Sequence, residues 1–356
     1  MNRTLLNDLT EVLRKGCILF GLVLLAACDE ATEAMIADTE ETTALNFAPS
    51  IAATVETRTA PITGNKFPNS RTYSLGFWVC KHEEETDYNQ REYVAAMTDY
   101  NNLKATLSIG AATGETDEEI WKYTFSNLEH DTLSVRRYTS VDVYAYHPYT
   151  SATTSPTAVP FTSGQSDWMY ADPYTITEAQ TAGSRVEVPM VFHHTMTSIQ
   201  VNIICRYDGT VDLTRMTLTD TKGERLGVSG TMNATNGELT DITKGSSISI
   251  SPNTRLNNAT YTTFCIIMPA IDEYADGEFE LSFQFDNNDM AETYSLPTQM
   301  NKLDENGDST GETVTIDGFK KGVRYIYNVE LNNYMHFTPV GVDETAWSTE
   351  SRDLEL

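Results

Sequence analysis

Short segments in which apolar and polar residues alternate occur along the whole chain. In SLGFWVC, the apolar residues Leu75, Phe77 and Val79 occupy every second position. The same alternation occurs in segments 105–109, 121–125, 141–145, 199–203, 279–285 and 323–331. A period of two places successive side chains on opposite faces of a β-strand. Many such segments, separated by Gly, Pro, Asn or Asp, predict an all-β protein whose antiparallel sheets pack as sandwiches.

The length of 356 residues exceeds what one hydrophobic core usually organises, so two domains are expected. The polar, Gly-containing segment TEAQTAGSR, residues 177–185, is the expected boundary. We therefore predict an N-terminal sandwich at residues 45–182, a C-terminal sandwich at 183–335 and a final segment at 336–356. In the first half, only residues 89–105 have a pattern that suits a short helix.

The chain begins with a segment that is typical of export. An apolar run at residues 16–27 follows Arg14 and Lys15, and it is shorter than the roughly 20 residues that span a bilayer. This predicts a signal peptide at residues 1–27. The sequence Leu25-Ala-Ala-Cys28 resembles a bacterial lipobox, in which Cys28 is acylated and becomes the mature N-terminus. An ordinary signal peptide with an incidental cysteine is the alternative.

Residues 28–44 are acidic and rich in Thr and Ala, which predicts a flexible tether. Asp29, Glu30 and Glu33 resemble the export tag that directs lipoproteins of some Gram-negative anaerobes to the outer face of the outer membrane. The predicted location is therefore the outer membrane, with the protein exposed at the cell surface.

The formal net charge of −27 excludes some classes of partner. Loss of residues 1–27 removes three basic and two acidic residues, so the mature charge is about −28. A field of this sign repels phosphate backbones and anionic lipid, so nucleic acid is not expected as a partner. Any attachment to a membrane then depends on the acyl chains.

Three cysteines remain in the predicted mature fold, Cys80, Cys205 and Cys265. Cys205 continues the alternating apolar face of residues 199–203, which favours a buried, inert thiol. A Cys80–Cys205 or a Cys205–Cys265 disulfide is the alternative, because sequence alone does not determine the pairing.

The sequence contains no pattern that specifies an active site. His193 and His194 are adjacent, so in a strand they point to opposite faces and do not share a metal; one is expected inward and hydrogen-bonded, the other outward. The acidic stretch 304–308 resembles the start of a calcium loop, but Ser309 and Thr315 stand where an EF-hand needs Gly and Glu. Nucleotide-binding, hydrolase and zinc-protease motifs are absent. No enzymatic activity, cofactor or metal is expected.

Four stretches together resemble the fimbrillin family, the pilin-like lipoproteins with which Gram-negative anaerobes build type V pili. They are LNFAPSIAATVETRTAP (45–61), SDWMYADPYTITEA (166–179), VPMVFHHTMTSIQVNI (188–203) and FKKGVRYIYNVELNN (319–333). A closing tryptophan, Trp347, also fits the family pattern. The resemblance implies two tandem transthyretin-like sandwiches and a structural or adhesive pilus subunit.

The resemblance also implies how such a subunit assembles. An arginine-specific protease removes the first strand, here Leu45 to Val55, by cutting at Arg58 or Arg71. A strand from a neighbouring subunit then fills the groove by β-strand addition. The expected donor is the segment 336–356, whose candidate groove-filling residues are Phe337, Val340, Val342 and Trp347. Asp343 and Glu344 interrupt its alternation, so stalk, anchor and tip positions in the pilus all stay open.

The expected partners are other pilus subunits and, for an adhesive subunit, a host or bacterial surface ligand. The alternative function is that of a surface glycan-binding lipoprotein. Such a protein presents aromatic side chains to sugar rings, and two groups of residues are candidates: Tyr144, Tyr146 and Tyr149, or Trp168 and Tyr170. The competing interpretation is that these aromatic residues pack between sheets.

Overall fold

The computed structural model of the protein describes residues 41–51, 72–82, 100–110, 120–126, 132–286, 288–303, 309–334 and 336–346. Within these ranges the chain consists almost entirely of β-strands joined by short loops, with one short α-helix, α1 (Glu178–Thr181). The predicted all-β class is confirmed. The described residues include no helix with the length and apolar character needed to span a membrane.

The first ten strands are β1 (Thr42–Ile51), β2 (Thr72–Lys81), β3 (Leu103–Gly110), β4 (Ile120–Phe125), β5 (Leu133–Arg136), β6 (Val141–His147), β7 (Val159–Thr162), β8 (Met169–Ala171), β9 (Tyr174–Ile176) and β10 (Arg185–His194). All except β7 belong to one nine-stranded sheet, which we call the N-terminal sheet. Its order is β4-β3-β2-β6-β8-β10-β1-β5, with β9 beside β6. Apolar side chains from β1 to β6 and from β8 to β10 form a single N-terminal core.

The remaining strands are β11 (Thr197–Cys205), β12 (Thr210–Asp220), β13 (Leu226–Met232), β14 (Leu239–Gly245), β15 (Ser247–Ile250), β16 (Thr254–Asn257), β17 (Tyr261–Met268), β18 (Phe279–Phe285), β19 (Asn288–Ser295), β20 (Gln299–Leu303), β21 (Ser309–Thr315), β22 (Val323–Leu331) and β23 (Phe337–Ala346). One sheet has the order β17-β11-β22-β23-β20-β21, and the other has β15-β12-β18-β19 with β16 beside β12. These two sheets form the C-terminal sandwich, and a second large core includes residues from both.

A third sheet, β14-β13-β7, joins the two halves of the chain, and we call it the bridging sheet. The aromatic residues beneath it form a separate bridging core, in which the rings of Trp78 and Tyr146 stack with centroids 5.1 Å apart. The described residues from Thr43 to Ala346 belong to one compact unit.

Strand β10 lies in the N-terminal sheet, although the sequence analysis assigned residues from 183 onward to the second sandwich. It pairs with β1 and β8, and its buried side chains Val186, Val188, Met190 and Phe192 belong to the N-terminal core. The chain passes to the C-terminal sandwich at the junction Thr195–Met196, because β11 pairs with β17 and β22.

Each of the seven alternating segments found in the sequence is a strand, namely β2, β3, β4, β6, β11, β18 and β22. In the region considered for a helix, residues 103–105 begin β3, and residues 89–99 lie outside the described residues. The transthyretin-like topology of the two halves stays a prediction.

Candidate functional site

Strand β1 lies in the interior of the N-terminal sheet, with β10 on one side and β5 on the other. It runs parallel to β10, from Ala44 opposite Arg185 to Ile51 opposite Phe192. Since these partners lie far apart in sequence, β1 joins the sheet through a long-range pairing. Its absence would leave the facing edges of β5 and β10 without a hydrogen-bonding partner between them.

The inward side chains of β1 fill the middle of the N-terminal core. Leu45, Phe47 and Ile51 are all buried. The ring of Phe47 lies 4.9 Å from that of Phe77 and 5.7 Å from that of Tyr123, measured between centroids. β1 therefore contributes both backbone hydrogen bonds and an aromatic contact to the fold.

Polar contacts fix the start of β1 to the loop around α1. The Thr43 hydroxyl is buried and lies 2.6 Å from the carbonyl oxygens of both Thr181 and Gly183. The backbone N–H of Ala44 donates to the carbonyl of Ser184 at 2.9 Å. Two residues farther along the same edge, the Asn46 amide donates to a carboxylate oxygen of Glu187 on β10. These contacts set the parallel register of β1 against β10.

A cavity of about 320 Å³ lies beside β1. Its apolar lining includes Leu45, Phe47, Tyr123 and Phe125. Burial raises the pKa of the Tyr123 hydroxyl well above its usual value, and that hydroxyl has no hydrogen-bond partner among the described residues. The cavity is partly open to solvent, so the described residues leave one flank of β1 incompletely covered.

The expected donor segment forms β23 in the C-terminal sandwich. It pairs antiparallel with β22, from Phe337 opposite Leu331 to Ala346 opposite Val323, with one irregularity at Asn328. The ring of Phe337 lies 4.1 Å from that of Phe283. Val340 and Val342 are part of the same strand. In this structure the segment therefore completes the sheet of its own chain.

Several residues singled out in the sequence lie outside the described residues. They are Cys28, Arg58, Arg71, Trp347 and the acidic stretch 304–308. Lipid attachment, proteolytic processing and calcium binding at these positions therefore stay predictions.

The adjacent histidines follow the expected inward and outward arrangement. His194 is buried, with its Nδ1 atom 3.0 Å from a carboxylate oxygen of Asp167. His193 is about one-third exposed, pairs with Asp172 at 2.9 Å and stacks on the ring of Tyr170. The described residues contain no group of three or more His, Cys, Asp or Glu side chains arranged to hold a metal ion.

The cysteines and most of the candidate sugar-binding aromatics are buried. Cys80, Cys205 and Cys265 are buried inside the fold and are not disulfide-bonded, so neither proposed disulfide is present. Tyr144, Tyr146 and Trp168 belong to the bridging core, which supports the interpretation that they pack between sheets. Tyr149 and Tyr170 are half-buried.

Sequence reasoning missed the residues that fasten β1. Thr43 was expected in the flexible tether 28–44, but β1 already begins at Thr42, and Thr43 is a buried residue of this strand that contacts a distant loop. Arg185 was expected to end the boundary segment 177–185, and Glu187 was expected in the second sandwich. Only the parallel pairing of β1 with β10 reveals their role, and no local pattern encodes a pairing over such a distance.

Comparison with protein families gives one match, to the fimbrillin-like family, over residues 76–347. The curated proteins contain no match. Fimbrillin-like proteins are structural rather than enzymatic, in agreement with the absence of active-site motifs in the sequence.

Solved structures with a similar chain path come from Bacteroides. A proposed cell adhesion protein from Bacteroides ovatus has 19% sequence identity and a TM-score of 0.50, and the match covers 87% of this chain and 99% of that one. Another from Bacteroides uniformis has 15% identity and a TM-score of 0.47, with the same two coverages. A fimbrial protein from Bacteroides vulgatus has 13% identity and a TM-score of 0.35, covering 86% of this chain and 99% of that one. At 19% identity, the similarity to the Bacteroides ovatus protein concerns the fold alone.

The family match extends from β2 to the residue after β23, so it includes most of the N-terminal sheet and the whole C-terminal sandwich. It covers well over half of the sequence. The chain therefore belongs to the fimbrillin-like family.

Proposed function

We propose that the chain is a structural or adhesive subunit of a cell-surface fimbria. It is exported as a lipoprotein, acylated at Cys28 and held at the outer face of the outer membrane. An arginine-specific protease then cuts at Arg58 or Arg71, and the subunit joins others by strand donation. Family membership supports the fimbrial role, and the lipobox-like sequence before Cys28 supports the lipid anchor.

The observation that carries the proposal is the interior position of β1. The strand ends at Ile51, and both arginines lie between it and β2, which begins at Thr72. A cut at either arginine separates β1 covalently from the rest of the fold. After the cut, only the pairing with β5 and β10, the fastening contacts around Thr43 and the packing of inward side chains hold it.

Loss of β1 would leave a groove that suits a replacement strand. Its walls would be the edges of β5 and β10, which offer backbone hydrogen bonds, and its floor would include the rings of Phe77 and Phe125. An extended segment that adds to a sheet edge gains affinity from the backbone and specificity from alternate side chains.

The donor in this proposal is the C-terminal segment 336–356 of another subunit. In the monomer Phe337, Val340 and Val342 lie in β23, which pairs with β22 of its own chain. Donation would therefore require this segment to leave its own sheet and to pair with the sheet of a neighbouring subunit. β23 lies between β22 and β20, and its release would open the C-terminal sandwich at that point. Subunits that donate this segment are therefore expected to do so only when an open groove is available.

The proposal is tested by limited digestion of residues 29–356 with an arginine-specific protease, followed by intact-mass and size analysis. We expect one early cut, loss of the β1 fragment and growth of a ladder of oligomers. Arg58→Lys and Arg71→Lys keep the charge but remove each cleavage site in turn, so they identify the arginine that is cut.

A reversible disulfide between β1 and β10 distinguishes the effect of cleavage from the effect of releasing β1. Asn46 and Glu187 face each other across β1 and β10. The double variant Asn46→Cys, Glu187→Cys places two thiols at neighbouring positions, within the usual range for a disulfide. The oxidised variant should be cut normally but stay monomeric, and reductant should start oligomer growth. The single variant Asn46→Cys is the control and should assemble like the unmodified chain.

Oligomers that form equally fast in the oxidised double variant would contradict strand exchange at β1. A cut that leaves a stable monomer in the unmodified chain would contradict a polymerising stalk subunit and would indicate an anchor or tip subunit instead.

A further inference from the structure

Three loops meet at the end of the C-terminal sandwich farthest from the junction Thr195–Met196. Strand β11 starts beside the junction and runs to Cys205, where the loop 206–209 begins. Tyr261 of β17 pairs with Ile204 near the end of β11, after the loop 258–260. Strand β22 runs parallel to β11 and ends at Leu331, before the described loop residues 332–334 and 336. We call this end of the molecule the distal pole.

The distal pole carries two exposed aromatic side chains. Among the described residues three large apolar side chains are exposed, and two of them lie here: Tyr334 is 83% exposed and Tyr261 is 50% exposed. The third, Tyr138, is 66% exposed and lies between β5 and β6 of the N-terminal sheet. A fourth ring at the pole, Tyr207, is half-buried and lies over Gly209, where a Cβ atom would meet it at 2.6 Å.

A network of side-chain amides around one carboxylate holds the three loops together. The backbone N–H of Asp208 donates to Asn333 Oδ1 at 2.7 Å, and Asn333 Nδ2 donates back to Asp208 Oδ2 at 2.9 Å. Asn258 Nδ2 donates to the other carboxylate oxygen of Asp208 at 2.9 Å. Asn332 Oδ1 accepts from the backbone N–H of Tyr334 at 2.9 Å. Tyr334 therefore lies in a loop held by these hydrogen bonds, and Tyr261 is the first residue of strand β17, directly after the loop that contains Asn258.

We propose that the distal pole is a binding site for a neutral carbohydrate, in which the rings of Tyr334 and Tyr261 stack on sugar faces. The amide and carboxylate groups of Asn258, Asp208 and Asn333 supply donors and acceptors for sugar hydroxyls. Tyrosine gives a large amphipathic contact at low entropic cost, and asparagine gives adaptable hydrogen bonding. The inference deepens the proposed fimbrial function, on which it rests, by naming the ligand class of an adhesive subunit.

The size of the aromatic surface favours a sugar over a protein partner. A tyrosine side chain has roughly 150–250 Å² of surface, so the exposed parts of these two rings amount to about 250 Å². A stable protein–protein interface needs about 800 Å² on each side. Two tyrosines can cover one or two sugar rings, but they provide only a small part of a protein interface.

The charge of the pole favours a neutral sugar over an acidic one. Asp208 lies at the centre of the network, and Glu330 and Glu292 lie close by, paired with Arg206 and His336. The whole chain carries a net charge of −27. Sialylated or sulfated glycans would therefore meet repulsion at this surface.

The test uses the uncut chain of residues 29–356 on an array of neutral, sialylated and sulfated glycans, followed by calorimetry with the neutral glycans that bind. We expect binding to neutral glycans alone. Tyr334→Ala and Tyr261→Ala should each weaken binding about tenfold, because an aromatic contact contributes about that factor in Kd. Tyr138→Ala removes the exposed ring in the N-terminal sheet and should leave binding unchanged, and thermal melts should show all three variants folded.

The proposal is overturned if no neutral glycan binds, if acidic glycans bind instead, or if Tyr334→Ala binds as well as the unmodified chain. It is likewise overturned if Tyr138→Ala loses binding to the same extent. The monomer is measured before any cleavage, so failure of oligomer growth would count against strand exchange and leave the result on sugar binding unaffected.

Discussion

Asp220, at the end of β12, is a buried carboxylate that holds a turn together through one arginine. Its two oxygens accept hydrogen bonds from Nη2 and Nε of Arg225, both at 2.9 Å, and from the backbone N–H of Lys222 at 3.0 Å. The side-chain hydrogen bonds from Arg225 are the main reason that the pKa of Asp220 falls to about 2, while burial opposes the shift. The charged form is therefore favoured in the folded state.

This lowered pKa predicts a pH-dependent contribution to stability. A carboxyl group whose pKa is about 3.9 when unfolded and about 2 when folded adds roughly 2 kcal/mol at neutral pH. That contribution is present above the unfolded pKa and is lost as the pH falls toward the folded pKa. Asp220→Asn should therefore lower the free energy of unfolding by about 2 kcal/mol at pH 7 and by about half as much at pH 3. Urea denaturation at the two pH values measures the difference.

The matched control is Asp212→Asn, because Asp212 also binds an arginine through two oxygens, at 2.8 Å and 3.0 Å. That pair, with Arg255, is exposed, and exposed ion pairs contribute little to stability. Equal losses in the two variants would contradict the role given to burial of Asp220.

Alanine substitutions at two glycines with the same backbone conformation distinguish the cost of backbone strain from the cost of a side-chain clash. Gly237 has φ +70° and Gly277 has φ +75°, a region that side chains with a Cβ atom adopt at a cost of roughly 1–2 kcal/mol. A Cβ atom on Gly237 would lie 2.2 Å from the ring of Tyr170, while one on Gly277 would meet nothing within 4 Å. Gly277→Ala should lose about 1 kcal/mol and Gly237→Ala about 1–3 kcal/mol more, measured by chemical denaturation. The double variant Gly237→Ala, Tyr170→Ala should recover part of the extra loss, and the absence of any recovery would contradict the predicted clash.

At the scale of elements, the packing of β1 should set the rate at which it leaves after cleavage. Phe47→Ala removes the ring that contacts Phe77, Tyr123 and Phe125, and a buried Phe to Ala change lowers stability by about 3 to 5 kcal/mol. Oligomers should then form faster after digestion than in the unmodified chain, as size analysis over time would show. Phe319→Ala removes a buried ring from the C-terminal core and should destabilise the chain without increasing that rate. Equal rates for Phe47→Ala and the unmodified chain would mean that release of β1 does not limit assembly.

The strands were predictable wherever one face is buried and the other solvated. Alternation in β18 is complete, from Phe279 to Phe285, and the burial of its side chains alternates in the same way. β2 and β6 are different, because the bridging sheet and bridging core cover their second face. Tyr144 and Tyr146 were read as candidates for an exposed platform, yet both are buried. A local pattern does not tell which tertiary element covers the outer face of a sheet.

The candidate site was predictable in part. The first strand was recognised from its resemblance to a family, and β1 does lie in the interior of the N-terminal sheet. Its neighbours were not predictable, because the parallel pairing with β10 joins residues 141 positions apart, as between Asn46 and Glu187. β10 was assigned to the second sandwich for the same reason. The polar turn before it predicts a loop, but it does not tell to which sheet the next strand belongs.

At the scale of the whole molecule, the bridging core determines whether the two halves unfold together. It combines Trp78 and Trp168 from the first half of the chain with Met232 and Ile267 from the second. Backbone pairing between β7 and β13 adds to this contact. Halves that share a buried core of this kind are expected to unfold as one cooperative unit, whereas domains joined by a small polar interface move and unfold separately.

This coupling is tested with two methionines that are both fully buried. Met232→Ala creates a cavity in the bridging core, and Met216→Ala creates one of the same chemistry inside the C-terminal core. Each change should cost about 2 to 5 kcal/mol. Calorimetry should show a single transition for the unmodified chain and for Met216→Ala, but two for Met232→Ala, because only that variant weakens the contact between the halves. If both variants keep one transition at the same lowered midpoint, the bridging core does not control cooperativity, and the backbone pairing of β7 with β13 is sufficient to couple the halves.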